Sequence, residues 1–152
     1  MTLQDTDWHR LRERISGELI LPDSSAYESA FPPAMARFRD IRPCGLVMCA
    51  GKEDVAEAIS LARRSGIETA IRSGGHSFAG YTTTAGIVID VSLMNSVTVS
   101  DGVAAVGAGA RLADVYDELD RSDLTIPAGC GPFGGDLRTH SGRGYWDSRA
   151  KA

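Results

Sequence analysis

A strand–helix–strand pattern between residues 46 and 72 constrains the fold of this chain more than any other feature. Residues 46–49 form a short apolar run bounded by turn residues, which predicts a buried strand. Residues 54–65 predict an amphipathic helix that Gly66 ends, and Thr69–Arg72 predicts a second short strand. Because a helix with short connections joins parallel strands, these two strands are expected to run parallel. The apolar residues of the predicted helix that share one face are Val55, Ala58, Ile59 and Ala62.

The segment before this pattern predicts a helical lead-in. Residues 7–19 have Leu11, Ile15 and Leu19 four positions apart, as on one face of a helix. Turn-forming residues at 21–25 end this helix.

The segment after the pattern predicts three further elements. Residues 87–91 read as a strand, and residues 96–100 and 103–106 read as a hairpin around an Asp-Gly turn at 101–102. A helix is expected from residue 112 to about residue 121.

Composition and charge exclude several classes of partner. The 152 residues suffice for one modest domain, and the net charge of −4 with no basic run argues against binding nucleic acid or an anionic membrane. No apolar stretch reaches the ~18 residues of a membrane span. The polar N-terminus lacks the apolar core of a secretory signal, so we expect a cytoplasmic location.

Cysteine and histidine positions predict neither a disulfide framework nor a metal site. The cysteine count of three is odd and sparse, and Cys44 and Cys49 are expected to be buried as small apolar side chains. The three histidines lack the spacing of metal ligands.

Residues 73–85, here called the glycine-rich loop, follow the second predicted strand directly. Gly74 and Gly75 let the backbone approach a ligand closely, and loop amides can cradle phosphate oxygens. Ser73 and Ser77 add hydroxyl donors. Arg72 and His76 add a charge and an imidazole, although alternation along the strand can turn Arg72 elsewhere. A glycine-rich turn with an exposed histidine and no ligand remains the alternative.

The run from Ile71 to Tyr81 resembles the flavin loop of the berberine-bridge-enzyme-like FAD oxidases, which belong to the vanillyl-alcohol-oxidase and p-cresol-methylhydroxylase (PCMH) superfamily. Similar segments occur in the family's order at residues 43–55, 86–95, 106–116 and 127–129. The resemblance implies an α+β fold, a truncated PCMH-type FAD-binding domain. It would comprise an N-terminal βαβ subdomain and the start of a second, mixed or antiparallel subdomain. On this interpretation residues 1–26 are the helical lead-in and residues 27–132 the partial domain.

The resemblance also implies the cofactor, FAD, and the residues that hold it. Loop amides would bind the pyrophosphate, and His76 matches the histidine that many members bond covalently to the 8-methyl carbon of the flavin. In members with a second link, a cysteine lies where this chain has Gly131, and Cys130 is one place earlier, so we expect a single link at most. The expected cofactor-binding residues are Arg72, Ser73, Gly74, Gly75, His76, Ser77, Gly80, Tyr81, Pro127, Ala128, Gly129, Cys130 and Gly131.

The sequence leaves two interpretations open for each of two further residues, Asp90 and Tyr81. Asp90 ends a predicted strand and is expected to stabilise the following turn, with contact to the cofactor as the alternative. Tyr81 either lines the flavin pocket or packs locally against the loop.

Residues 133–152 depart from the family, which continues with a glycine-rich run. A reading frame shifted near Phe133 can encode that run, so we expect a non-native, disordered tail. The family's chemistry is hydride transfer from a substrate C–H bond to FAD, followed by reoxidation by O2. Its substrate pocket and usual tyrosine base would lie beyond residue 132, so catalytic residues cannot be assigned here. A small-molecule substrate is expected only for a full-length form, and the alternative is a fragment that does not bind FAD stably.

Overall fold

The computed structural model describes residues 3–127, which contain both helices and strands. The elements are α1 (Asp5–Arg12), β1 (Glu18–Ile20), α2 (Tyr27–Ala30), a 3-10 turn (Ala36–Phe38), β2 (Gly45–Met48), α3 (Lys52–Ser65), β3 (Thr69–Arg72), β4 (Ile87–Asp90), β5 (Val97–Ser100), β6 (Val103–Val106) and α4 (Leu112–Asp120). No helix in this range is both long enough and apolar enough to cross a membrane.

The first sheet has four strands in the order β1-β2-β4-β3. The predicted parallel direction of β2 and β3 is confirmed, but β4 lies between them and pairs in parallel with both. β1 adds an antiparallel strand at the other edge, with Leu19 opposite Val47.

Each face of this sheet is covered by its own apolar cluster. Cluster 1 lies on the side of α1 and α3, and its buried residues are Trp8, Leu11, Leu19, Val47, Cys49, Ala58, Leu61, Ala62, Ile87 and Ile89. Cluster 2 lies on the side of α2, and its buried residues are Ile20, Tyr27, Phe31, Leu46 and Val88. The strands are apolar on both faces because both faces are buried.

The predicted helix over residues 54–65 is confirmed as α3, and Gly66 ends it with a left-handed φ of 62°. The face of α3 that is buried differs from the predicted face of Val55, Ala58, Ile59 and Ala62. Asp54 and Leu61 are buried with Ala58 and Ala62, whereas Ile59 is 37% exposed. Both faces have helical spacing, and the one that is buried places the Asp54 carboxylate against backbone amides at the helix start.

The predicted helix over residues 7–19 was wrong in its second half. α1 ends at Arg12, and Leu19 reaches cluster 1 from strand β1. Gly17 explains the change, because a Cβ atom there would lie 1.8 Å from the Met48 carbonyl oxygen. The chain bends at Gly17 and enters β1, which pairs with β2.

The second sheet is the predicted hairpin, β5 and β6, paired antiparallel. Asp101 and Gly102 have φ values of 52° and 75°, as a type I′ turn requires. α4 packs on the hairpin through a third cluster, whose buried residues are Ala110, Val115 and Leu119. The molecule is therefore α+β, with a mixed first subdomain and the beginning of an antiparallel second one.

The two cysteines in the described range are apolar packing residues. Cys49 is fully buried, and burial, with smaller effects from Asp54 and Asp90, raises its pKa to about 12. Cys44 is half-buried and packs against cluster 1. Full burial is thus confirmed for Cys49 and not for Cys44.

Candidate functional site

The glycine-rich loop leaves the sheet at the carboxyl end of its parallel strands. It begins after Arg72, the last residue of β3, and returns to the sheet at Ile87, the first residue of β4. Ligands of open α/β sheets bind in the crevice outside the carboxyl ends of the strands. The loop therefore lies where the topology favours a cofactor.

Residues 74–76, here called the glycine turn, hold the ligand-accessible groups of the loop. Gly74 and Gly75 have left-handed φ values of 70° and 72°. Gly74 is exposed and His76 is half-buried, and no residue between 3 and 127 forms a hydrogen bond with the Gly74 amide or the His76 imidazole; the turn over Gly74 and Gly75 closes between Ser73 and His76. Within residues 3–127, an unpaired Gly74 amide beside an unpaired His76 imidazole fits a phosphate-bearing cofactor.

Arg72 points to the α2 side of the sheet and is 4% exposed. Its Nη1 and Nη2 atoms donate to the carbonyl oxygens of Ala30 and Phe31, each at 2.8 Å, and Nε donates to that of Thr82 at 3.2 Å. Burial lowers the pKa of Arg72, and the Asp90 carboxylate, 4.0 Å from Nε, partly offsets this effect. All three guanidinium nitrogens are thus engaged within the protein.

The two serines of the loop are buried and also bonded internally. The Ser73 hydroxyl donates to the Ala108 carbonyl oxygen at 2.8 Å, which links the loop to the segment between β6 and α4. The Ser77 Oγ atom accepts from the Tyr81 amide at 3.1 Å. Neither serine presents an exposed hydroxyl at the glycine turn, because both residues are under 5% exposed.

The far end of the loop is shaped by Gly80. Its φ is 79°, and a Cβ atom there would come within 2.8 Å of the Phe38 ring. Tyr81 and Phe78 are 82% and 73% exposed, so their rings do not pack into the described part of the chain. Of the two interpretations of Tyr81, local packing is therefore excluded within residues 3–127.

Asp90 stabilises a turn, as predicted. Its Oδ1 atom accepts from the Ser92 amide at 2.9 Å directly after β4. The strand register places Asp90 opposite Arg72, so the carboxylate is also the nearest negative charge to the buried guanidinium. Asp90 is 5% exposed.

Several contributors to the site were not predicted from the sequence. They are backbone groups, which no side-chain motif marks: the carbonyls of Ala30, Phe31, Thr82 and Ala108, and the Ala34 amide, which donates to the Gly75 carbonyl oxygen at 3.2 Å. The Thr82 and Thr83 hydroxyls are also buried, and no described residue pairs with either. The one sequence signal for these carbonyl groups was the pair Pro32 and Pro33, since paired prolines favour an extended segment whose carbonyl oxygens are free to accept hydrogen bonds.

The second expected flavin segment lies almost wholly outside the described residues. Pro127 is exposed at the end of the described range. Ala128, Gly129, Cys130 and Gly131 fall beyond it, as do residues 133–152.

The fold and the loop define a class: an α+β cofactor-binding domain with a glycine turn at the carboxyl end of a parallel sheet. Comparison with known proteins identifies the cofactor, because the model of the "FAD binding domain" family matches residues 43–136. The chain therefore belongs to the FAD-binding domain family of FAD-linked oxidoreductases.

Named relatives confirm the resemblance to berberine-bridge-enzyme-like proteins. The (R)-6-hydroxynicotine oxidase of Paenarthrobacter nicotinovorans is 34% identical over 125 residues, which cover 78% of this chain and 26% of that protein. Berberine bridge enzyme-like 18 of Arabidopsis thaliana is 28% identical over 143 residues, which cover 86% of this chain and 27% of that protein. The solved structure of BBE-like 1 from Physcomitrella patens superposes with a TM-score of 0.77 at 27% identity, covering 85% of this chain and 29% of that one. The chain thus spans about a quarter of the length of these relatives.

Proposed function

We propose that this chain is the FAD-binding part of a flavin-dependent oxidoreductase and that His76 carries the flavin covalently. The observation that supports the proposal is the half-buried His76, whose imidazole has no hydrogen-bond partner among residues 3–127, in a glycine turn with an exposed Gly74. Amides of the glycine-rich loop, among them the exposed Gly74 amide, would bind the pyrophosphate. When bound, FAD supplies the redox chemistry, in which the flavin accepts a hydride from a substrate C–H bond and is then reoxidised by O2.

The role of His76 is that of a neutral nucleophile. One imidazole nitrogen would bond to the 8-methyl carbon of the flavin, replacing one methyl C–H bond and the imidazole N–H bond. The two hydrogens and their electrons would pass to O2, which would give H2O2. We propose a single link, because Gly131 stands where members with two links have a cysteine.

The rest of the oxidoreductase function belongs to a longer form of the protein. Substrate-binding groups and the catalytic base would come from the three quarters of the relatives' length that this chain does not match. The chain alone is therefore proposed to be incomplete and inactive as an oxidase. The shifted reading frame near Phe133 stays a prediction, which the sequence of the coding DNA tests directly. If the shifted frame does not encode the family's glycine-rich run, the prediction is wrong.

The test is acid precipitation after incubation of the purified 152-residue chain with FAD. The wild-type pellet is expected to retain flavin fluorescence, and the His76→Ala pellet is expected to lose it. His9→Ala is the matched control, because His9 is an exposed residue of α1. Acid-stable flavin in His76→Ala would rule out the histidyl link. A colourless wild-type pellet and no flavin in the native protein would favour a fragment that does not bind FAD stably.

A further inference from the structure

We propose that Arg72 and Ser73 are positioning residues, which fix the glycine turn and through it the His76 imidazole, and that neither binds the cofactor. The inference rests on the proposed function in one respect, that His76 receives the flavin. The anchoring itself is a property of the chain without flavin.

Arg72 joins three separate parts of the backbone. It lies at the last position of β3, directly before the loop, and holds the end of α2 through Ala30 and Phe31 and the loop's return through Thr82. A planar guanidinium has donors in a fixed fork, so it can serve several carbonyls at once. A side chain 4% exposed cannot reach a phosphate without breaking these bonds.

Ser73 anchors the loop to a segment that is itself closely fixed. Its hydroxyl has one hydrogen, which it donates to the Ala108 carbonyl oxygen. The glycines on either side of Ala108 lie against backbone. A Cβ atom on Gly109 would come within 2.0 Å of the Val91 carbonyl oxygen, and one on Gly107 within 2.1 Å of that of Met94. The segment therefore cannot shift toward residues 91–94, and it holds Ser73 from the second subdomain.

Two anchors, Arg72 and Ser73, thus hold the chain directly before the glycine turn. A third contact holds the turn itself at Gly75, whose carbonyl oxygen accepts a hydrogen bond from the Ala34 amide. A position fixed in this way matters for bond formation, since a misplacement of about 1 Å can slow a reaction about a hundredfold. Glycines with left-handed φ would otherwise leave the turn free to sample other conformations. The anchors therefore supply the order that the glycine turn lacks.

The experiment uses the full 152-residue chain with the variants Ser73→Ala and Arg72→Lys. The matched controls are Ser60→Ala and Arg63→Lys, at exposed positions of α3. Amide hydrogen exchange, resolved by NMR without flavin, is measured at two reporters: Ala34, bonded to Gly75, and Tyr81, bonded to Ser77. The Val88 amide of β4 reports the stability of the sheet. The rate of acid-stable flavin incorporation per folded protein is measured separately.

We expect Ala34 and Tyr81 to exchange about fivefold faster in both variants, more than any change at Val88, because one lost hydrogen bond lowers local stability by about 1 kcal/mol. Flavin incorporation should slow between about tenfold and a hundredfold. Unchanged exchange at both reporters would overturn the inference, and so would faster exchange with flavin incorporation at the wild-type rate. If wild-type protein takes up no flavin, the proposed function fails and the exchange data alone decide the anchoring.

Discussion

Gly109 shows how strongly one missing side chain can determine the position of a whole segment. We expect Gly109→Ala to destabilise the protein by about 3 kcal/mol, at the upper end for overpacking, because backbone and not a flexible side chain occupies the space. Urea unfolding followed by circular dichroism measures the change. Gly51→Ala is the control, since its Cβ atom would meet only the end of the Glu53 side chain at 3.3 Å. Equal stability of Gly109→Ala and Gly51→Ala would contradict the close approach.

At this same scale the sequence predicted the site's residue types but not their directions. The tight turn at Gly74 and Gly75 could be predicted, because glycine adopts a left-handed φ readily, and the role of His76 stays a prediction. The internal roles of Arg72 and Ser73 could not, since their partners are the carbonyl oxygens of Ala30, Phe31, Thr82 and Ala108. Every residue has a carbonyl group, so a sequence contains no signal for which one will be used.

At the scale of elements, Asp54 joins the start of α3 to the N-terminal segment. Its carboxylate is 1% exposed and accepts from the amides of Ser16 and Gly17 at 2.9 Å and Ala50 at 2.8 Å. Burial alone would raise the pKa of Asp54, but these bonds and one from Gly51 outweigh it and leave the pKa below its usual value. The folded state therefore favours the ionised carboxylate.

We expect Asp54→Asn to lower the free energy of unfolding by about 3 kcal/mol at pH 7, because hydrogen bonds to a charged group contribute about 1.5–3 kcal/mol. The folded pKa is below the unfolded one, so the contribution is present above the unfolded pKa of ~4 and is lost as the pH falls below it, through the folded pKa. The difference between wild type and Asp54→Asn should thus shrink between pH 6 and pH 3 in urea titrations. Asp23→Asn, at an exposed position, is the control. A difference that stays constant with pH would show that the charge of Asp54 does not matter.

Elements with local signals were predicted well, and elements that depend on distant contacts were not. The hairpin turn at 101–102 and the glycine stop at Gly66 appear within a few residues of sequence. The order β2-β4-β3 and the strand at Glu18–Ile20 depend on pairing between residues about 20 to 40 positions apart, which periodicity does not report. Leu19 fits a helical spacing and a strand equally, and only the close approach at Gly17 decides.

At the scale of the whole molecule, the described residues 3–127 form two apolar clusters in the first subdomain and one small cluster in the second. The clusters of the first subdomain cover both faces of its sheet, whereas the third buries Ala110, Val115 and Leu119 against one hairpin. The side-chain bond from Ser73 to Ala108 and the backbone contacts at residues 91–96 link the two subdomains. The second subdomain should therefore open at a lower free energy than the first.

Leu119→Ala tests this difference, because Leu119 is 2% exposed and belongs only to the third cluster. Removal of a buried leucine side chain costs about 3 kcal/mol, so amides of β5, β6 and α4 should exchange much faster while those of β2 and β4 change little. Leu61→Ala, equally buried in cluster 1, is the matched substitution and should speed exchange in β2 and β4. Exchange measured by mass spectrometry on both variants distinguishes the two cores. If Leu119→Ala speeds exchange in β4 as much as in β5, the two sheets unfold as one unit, and the Ser73 bond joins parts that are never separately open.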